Sequence, residues 1–176
     1  MAIIEAIATT YLEADASSVE FSSIPATYEH LQLRCSCKTT RTGYGTDNLK
    51  VYLTTTAAAS AAGDNSHSMF GTGTTAGALM PTDSYTVHSP TTNFVDAANY
   101  AGLIFDILDY ASTTKNTTLS YLAAVATSGT VAYSQGAVWG SMLWDKTERI
   151  TAVKVFGANG NLVRGSEFTL YGLKSS

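Results

Sequence analysis

Charge is scarce in this chain. Asp, Glu, Lys and Arg make up 14% of its 176 residues, against about a quarter in an ordinary globular domain. The basic residues are also dispersed: Arg34, Lys38 and Arg41 are the densest group, and the formal net charge is −4. A nucleic-acid surface needs a concentrated positive footprint, so that class of partner is excluded. No apolar run approaches the ~20 residues of a membrane span. The opening Met1-Ala2-Ile3-Ile4-Glu5 has no basic region of the secretory kind, so synthesis in the cytoplasm is expected.

Cysteine is equally sparse. Cys35 and Cys37 are the only two thiols, and in a strand they share a face about 7 Å apart, too far for a bridge to form readily between them. Two thiols with no second pair are also a poor structural metal site. Buried, reduced core residues are expected. Helical periodicity is missing as well, and Pro occurs three times.

What replaces these is alternation with period two, the mark of half-buried strands. Leu31, Leu33, Cys35 and Cys37 face one way, and Gln32, Arg34, Ser36 and Lys38 the other. After a turn-rich loop around Gly43-Tyr44-Gly45, the residues Leu49, Val51 and Leu53 resume the pattern. The two strands read as a hairpin with a long tip. Val19 and Phe21 form a short strand ending near Pro25. Residues 2–12 read either as a strand or as an arm laid on a neighbour.

Strands are denser in the second half. In 102–110, Leu103, Phe105 and Ile107 alternate with Ile104, Asp106 and Leu108, so both faces carry apolar groups, as in a strand covered twice. Leu119, Tyr121, Ala123 and Val125 line one face of the next. The run 131–144 is interrupted by Gly136 and Gly140, which suggests a bulge or bend. Trp139 and Trp144 sit within this pattern and read as core. Two closing strands, 150–156 and 167–173, flank the turn signal Asn159-Gly160. About eight strands with no major helix predict an all-β, antiparallel two-sheet sandwich, jelly-roll-like, in one domain over 1–176, with a partly closed barrel as the alternative. It carries an N-terminal arm (1–16) and a long insert (56–101). An unstructured insert of that length is unusual, so short strands are expected near 68–70 and 85–88, with the remainder ordered by another subunit or left as a surface loop.

Chemistry is hard to find. His67 and His88, with Asp64 and Asp83, share the insert but match no ligand spacing. His30, at a strand entrance, reads as a surface residue. Asp106 and Asp109 are three apart in a strand region, which sends them to opposite faces. Neither a nucleophile elbow, a P-loop nor a dinucleotide fingerprint occurs. No catalytic, cofactor or metal residue is assigned, and an enzyme is not expected. Tyr44 and Tyr85 suit protein contact, in which tyrosine is enriched, or sugar stacking.

Two stretches resemble a known family. The segment Ser18-Val19-Glu20-Phe21-Ser22-Ser23-Ile24-Pro25-Ala26-Thr27-Tyr28-Glu29-His30-Leu31-Gln32-Leu33-Arg34 is similar to a recurrent segment of small β-sandwich virion proteins of tailed bacteriophages, marine and cyanobacterial phages among them. Ile150-Thr151-Ala152-Val153 and Gly165-Ser166-Glu167-Phe168-Thr169-Leu170-Tyr171-Gly172 resemble that family's closing strands. These segments cover a minority of the chain, and the insert has no counterpart among them. The resemblance implies a building role in the virion, as a capsid decoration or cement protein bound to the major capsid protein and to copies of itself as a trimer. The other role it implies is a tail or fibre component that reads host-surface polysaccharide. No repeat or heptad of a fibre shaft is present, which favours the capsid. Protein contacts are then expected at Ile3, Ile4, Met69 and Phe70, with Tyr44 and Tyr85 beside them.

Overall fold

Alternation becomes two layers that share one core. The computed structural model describes residues 3–42, 46–54, 66–71, 75–79, 86–92, 98–125 and 136–174. These contain twelve strands and no helix: β1 (Ile3–Tyr11), β2 (Val19–Phe21), β3 (His30–Thr39), β4 (Thr46–Thr54), β5 (Ser66–Gly71), β6 (Ala76–Leu79), β7 (Thr86–Thr92), β8 (Ala101–Ile107), β9 (Thr117–Val125), β10 (Gly136–Trp144), β11 (Ala152–Gly157) and β12 (Glu167–Lys174). One sheet runs β1-β12-β3-β8-β9-β10-β5-β6, every neighbouring pair antiparallel. The second runs β2-β11-β4-β7. They meet at a corner where Lys38 and Thr39 at the end of β3 pair in parallel with Thr91 and Thr92.

The expected all-β sandwich is therefore present, with more strands than the eight or so that alternation reveals. The insert supplies three of them, β5, β6 and β7, where two short pieces are expected from the sequence. Residues 3–11 are a strand paired to β12. Inward residues from both sheets form a single cluster: Leu31, Leu33, Phe105, Leu119 and Phe168 from the larger, Phe21, Val51, Leu53 and Val155 from the smaller. Burial of these aliphatic and aromatic groups holds the layers together, each fully buried side chain contributing about 1.5–3 kcal/mol.

Two expectations are corrected. The strands around residue 43 are not a hairpin. β3 lies in the larger sheet beside β12 and β8, while β4 lies in the smaller beside β11 and β7. The Asn159-Gly160 connection joins β11 and β12, which lie in different sheets, so it crosses between them. Alternation reports which side chains turn inward; it carries no information about which strand lies alongside. Nor does β10 bulge: its pairing with β9 and with β5 runs without a register shift.

Cys35 and Cys37 are free and buried on the inner face. Burial pushes both thiols well up from their usual range, and for Cys35 the neighbouring Cys37 adds to the effect. Thiolate, the reactive form, is therefore rare in the folded protein. An aromatic disulfide reagent at mildly alkaline pH is expected to leave both thiols unlabelled until denaturant is added, and then to label both. Rapid labelling of the native chain would contradict this burial.

Candidate binding surfaces on the eight-stranded sheet

The outer face of the larger sheet is ordered by strand register. In β8, β9, β10 and β5 the residues that alternate with the core set point to solvent. Register aligns them into rows across the strands. Ile104 stands opposite Leu122, Leu122 opposite Trp139, Trp139 opposite Met69, and Met69 opposite Ala78 on β6. Ile104, Leu122, Trp139 and Met69 are all exposed. This is one contiguous apolar row, five strands wide, and contiguous exposed apolar groups mark contact sites rather than ordinary surface.

The rows on either side differ in character. One step along the strands, Gly102, Ala124, Ala137 and Gly71 form a floor of small residues. One step the other way, Asp106, Ser120, Ser141 and His67 stand in line. Between the apolar and polar rows opens a recess of about 440 Å³, walled by Trp139, Met69, Ala78, Ser120, Ser141 and His67. Asp106 accepts a hydrogen bond from Gln32 Nε2 at 2.7 Å, and Arg34 Nε donates to Gln32 Oε1 at 2.7 Å. The Arg34 guanidinium lies 5.2 Å over the Tyr171 ring. The charged groups of this network are thus Arg34 on β3 and Asp106 on β8, the latter one strand from Ser120 at the recess.

A second surface is the edge. Among the described residues β1 pairs with β12 alone, so its other side is an unpaired edge. Ile3, Ile4 and Tyr11 are exposed, Ile4 at 55%, and Ile3 and Ile4 project to opposite faces. The strand has no Lys, Arg or Pro, the usual devices that discourage edge pairing. Its register shifts between Ala6 and Ala8, a bulge that twists the edge locally.

These surfaces place the candidate residues of the sequence. Ile3 and Ile4 lie on the open edge. Met69 belongs to the apolar row, whereas Phe70, its neighbour in β5, turns to the inner face and packs half-buried against the core with its ring over Gly77. Tyr44 and Tyr85 lie outside the described residues, as do Asp64 and Asp83. The His67 and His88 positions belong to strands of different sheets. Asp109 follows β8 in a left-handed turn conformation, φ 52°, where it pairs with Lys115 and its backbone N–H donates to His30 Nδ1 at 3.0 Å. That pairing with Lys115, first by hydrogen bond, holds its carboxyl below the usual range.

Trp139 is the main residue the sequence reading misplaced. Trp144 is core, 1% exposed, while Trp139 is 60% exposed. Parity decides between them: Trp139 shares its face with Ala137 and Ser141, Trp144 with Val138 and Met142. Ile104 tells the same story, since β8 is apolar on both faces but is covered on one among the described residues.

Ser141 and His67 are direct cross-strand neighbours, an arrangement that suits a nucleophile and base. Asp106 is placed two strands beyond Ser141, roughly 10 Å away, and is engaged by Gln32, so it does not orient His67 as such a pair requires. Among the described residues, no three His, Cys, Asp or Glu side chains converge on a metal position. Compared with protein-family models, with curated proteins and with solved structures, the chain matches none.

Proposed function

We propose that this chain is a structural protein of a tailed-bacteriophage virion, a capsid decoration or cement subunit that binds the major capsid protein and further copies of itself. The reading is supported above all by β1: a long, nearly uncharged strand at the edge of an eight-stranded sheet, paired on one side among the described residues. An open ladder of this kind is completed by a strand from another chain, whose backbone supplies the missing hydrogen bonds. Ile3 and Ile4 would add apolar contact on both faces of the joint. A scaffold low in charge and rich in short Thr, Ser and Ala side chains loses little side-chain entropy in such contacts. Stabilisation of the shell then follows by mass action, because the bound subunit favours the assembled state.

A second reading, a tail or fibre component that binds host-surface polysaccharide, is favoured by the solvent-facing Trp139. Copy number in purified virions separates the two locations: hundreds of copies mean the shell, a dozen or fewer the tail.

The contact itself is tested by Ile4→Lys. A lysine on an open edge opposes strand addition and leaves the buried core untouched. Virions assembled with the variant are expected to carry few copies, while the isolated variant keeps the unfolding temperature of the parent. Full incorporation of Ile4→Lys would remove β1 as the contact, and absence of the parent chain from purified particles would remove the virion role.

A further inference from the structure

We propose that the recess beside Trp139 is a binding site for a neutral pyranose glycan, its sugar ring stacked on the indole and its hydroxyls met by Ser120, Ser141 and His67. A pyranose has one face of C–H groups and a rim of hydroxyls. It therefore fits where an exposed aromatic surface stands beside a line of short hydrogen-bonding groups. Strand register puts those two features side by side. Trp139 lies between Leu122 and Met69 in the apolar row, and Ser120, Ser141 and His67 occupy the same three strands one step away. Along a strand that step is two residues, about 7 Å, so one ring spans both rows.

Size and charge narrow the occupant. A volume of about 440 Å³ falls in the range of small-ligand sites, roughly 300–1,000 Å³. A stable protein interface instead needs about 800 Å² from each partner, and the apolar row is a single residue deep on each strand, hemmed by Gly and Ala on one side and by hydroxyls on the other. Among the described residues no Lys or Arg lines the recess, which disfavours acidic sugars. Ser120, Ser141 and His67 line the recess, and two hydroxyls and an imidazole bring both donors and acceptors to it. Asp106 continues the polar row past Ser120 and retains acceptor capacity beyond its bond to Gln32. The rows run across the strands, so a linear chain of sugars would lie perpendicular to them, from Met69 towards Ile104.

The site does not depend on whether the subunit sits on the shell or the tail, and it is tested on the isolated full chain. Cellohexaose, maltohexaose and chitohexaose are titrated separately by calorimetry and by indole fluorescence; Trp144 is buried, so a ligand-dependent change reports Trp139. At least one of the three is expected to give saturable heat with a fluorescence shift. Trp139→Ala is expected to weaken it about tenfold or more, and Trp139→Phe, which keeps an aromatic face, to retain most of the affinity. Trp139 is solvent-facing, so both variants are expected to unfold at the parent temperature, and Ser141→Ala gives an independent, smaller loss. Three flat titrations, or affinity unchanged in Trp139→Ala, would overturn the site. A parent oligomer that dissociates on Trp139→Ala would overturn it too, by making the face a joint between copies. Flat titrations alongside normal incorporation into virions would reject the glycan site and leave the virion role standing.

Discussion

Asp47→Ala is expected to cost about 3 kcal/mol of folding stability, lowering the unfolding temperature by roughly 6–12 °C for a chain of this size. Asp47 is fully buried in β4. Its Oδ1 accepts the Asn48 backbone N–H at 2.9 Å and the Asn159 side-chain amide at 2.9 Å, and Arg41 Nη1 stands 3.5 Å away. Oδ2 faces the Asn159 backbone N–H at 3.4 Å. One carboxylate thus ties the start of β4 to the crossing between β11 and β12. Alanine removes the one buried acceptor these donors share, and the Asn48 backbone N–H, itself half-buried, loses its partner, the costly half of any hydrogen-bond deletion. Asp47→Asn is the informative partner: it preserves an oxygen at the Oδ1 position but presents an NH₂ to the Asn159 N–H and removes the charge beside Arg41. About half the loss is expected. Denaturant unfolding of both variants measures the difference. An Asp47→Ala chain as stable as the parent would mean that the crossing is held by other contacts, such as Asn161 N–H to Thr40 Oγ1 at 2.9 Å.

That crossing matters for the proposed contact because, among the described residues, β12 is the only strand that pairs with β1. The chain passes from β11 in one sheet to β12 in the other through residues 158–166. There Ala158 N–H donates to Asn48 O at 2.8 Å, and Leu162 exchanges backbone hydrogen bonds with Ala16. Loosening this segment would disturb the proposed contact edge without touching it.

How far the sequence discloses this arrangement follows from what alternation encodes. Leu31, Leu33, Cys35 and Cys37 are legible as core because burial has the same period as the pleat. The all-β class follows from the same signal repeated along the chain. Partnership is different: β3 beside β12 and β8, across more than sixty residues of sequence in each case, is fixed by complementary packing in three dimensions and leaves no local mark. The candidate surfaces are half legible. Ile3 and Ile4 stand out as apolar residues in a segment without a clear inward set. Trp139 is hidden by its size, since a large aromatic residue in a strand pattern is core by default. Only the parity of its neighbours Ala137 and Ser141 turns it outward. The cross-strand rows need the register of four strands at once, and that is a property of the fold alone.

Gly140 links core and surface in a single residue, and Gly140→Ala is expected to cost about 2–3 kcal/mol. It lies in β10 directly between Tyr121 on β9 and Ser68 on β5. On the inner face the Tyr121 ring occupies the space a β-carbon would need, approaching closer than any allowed contact. Tyr121 is itself buried, 2% exposed, so the ring has no solvent to swing into, and relief must come from displacing β10. In a strand without such an overlay, Gly→Ala is favourable by roughly 0.5–1 kcal/mol, since alanine loses less backbone freedom on folding. The sign of the effect therefore depends on the ring. Tyr121→Ala alone empties a core position and is expected to cost about 3–5 kcal/mol. Once the ring is gone, adding Gly140→Ala is expected to be neutral or stabilising, a coupling of about 2–3 kcal/mol between the two positions. Equal costs of Gly140→Ala in both backgrounds would show that the overlay does not dictate glycine here. Because Trp139 precedes Gly140, a shift of β10 in the single variant is also expected to disturb the indole, so its fluorescence and any glycan response should change in Gly140→Ala and recover in the double variant.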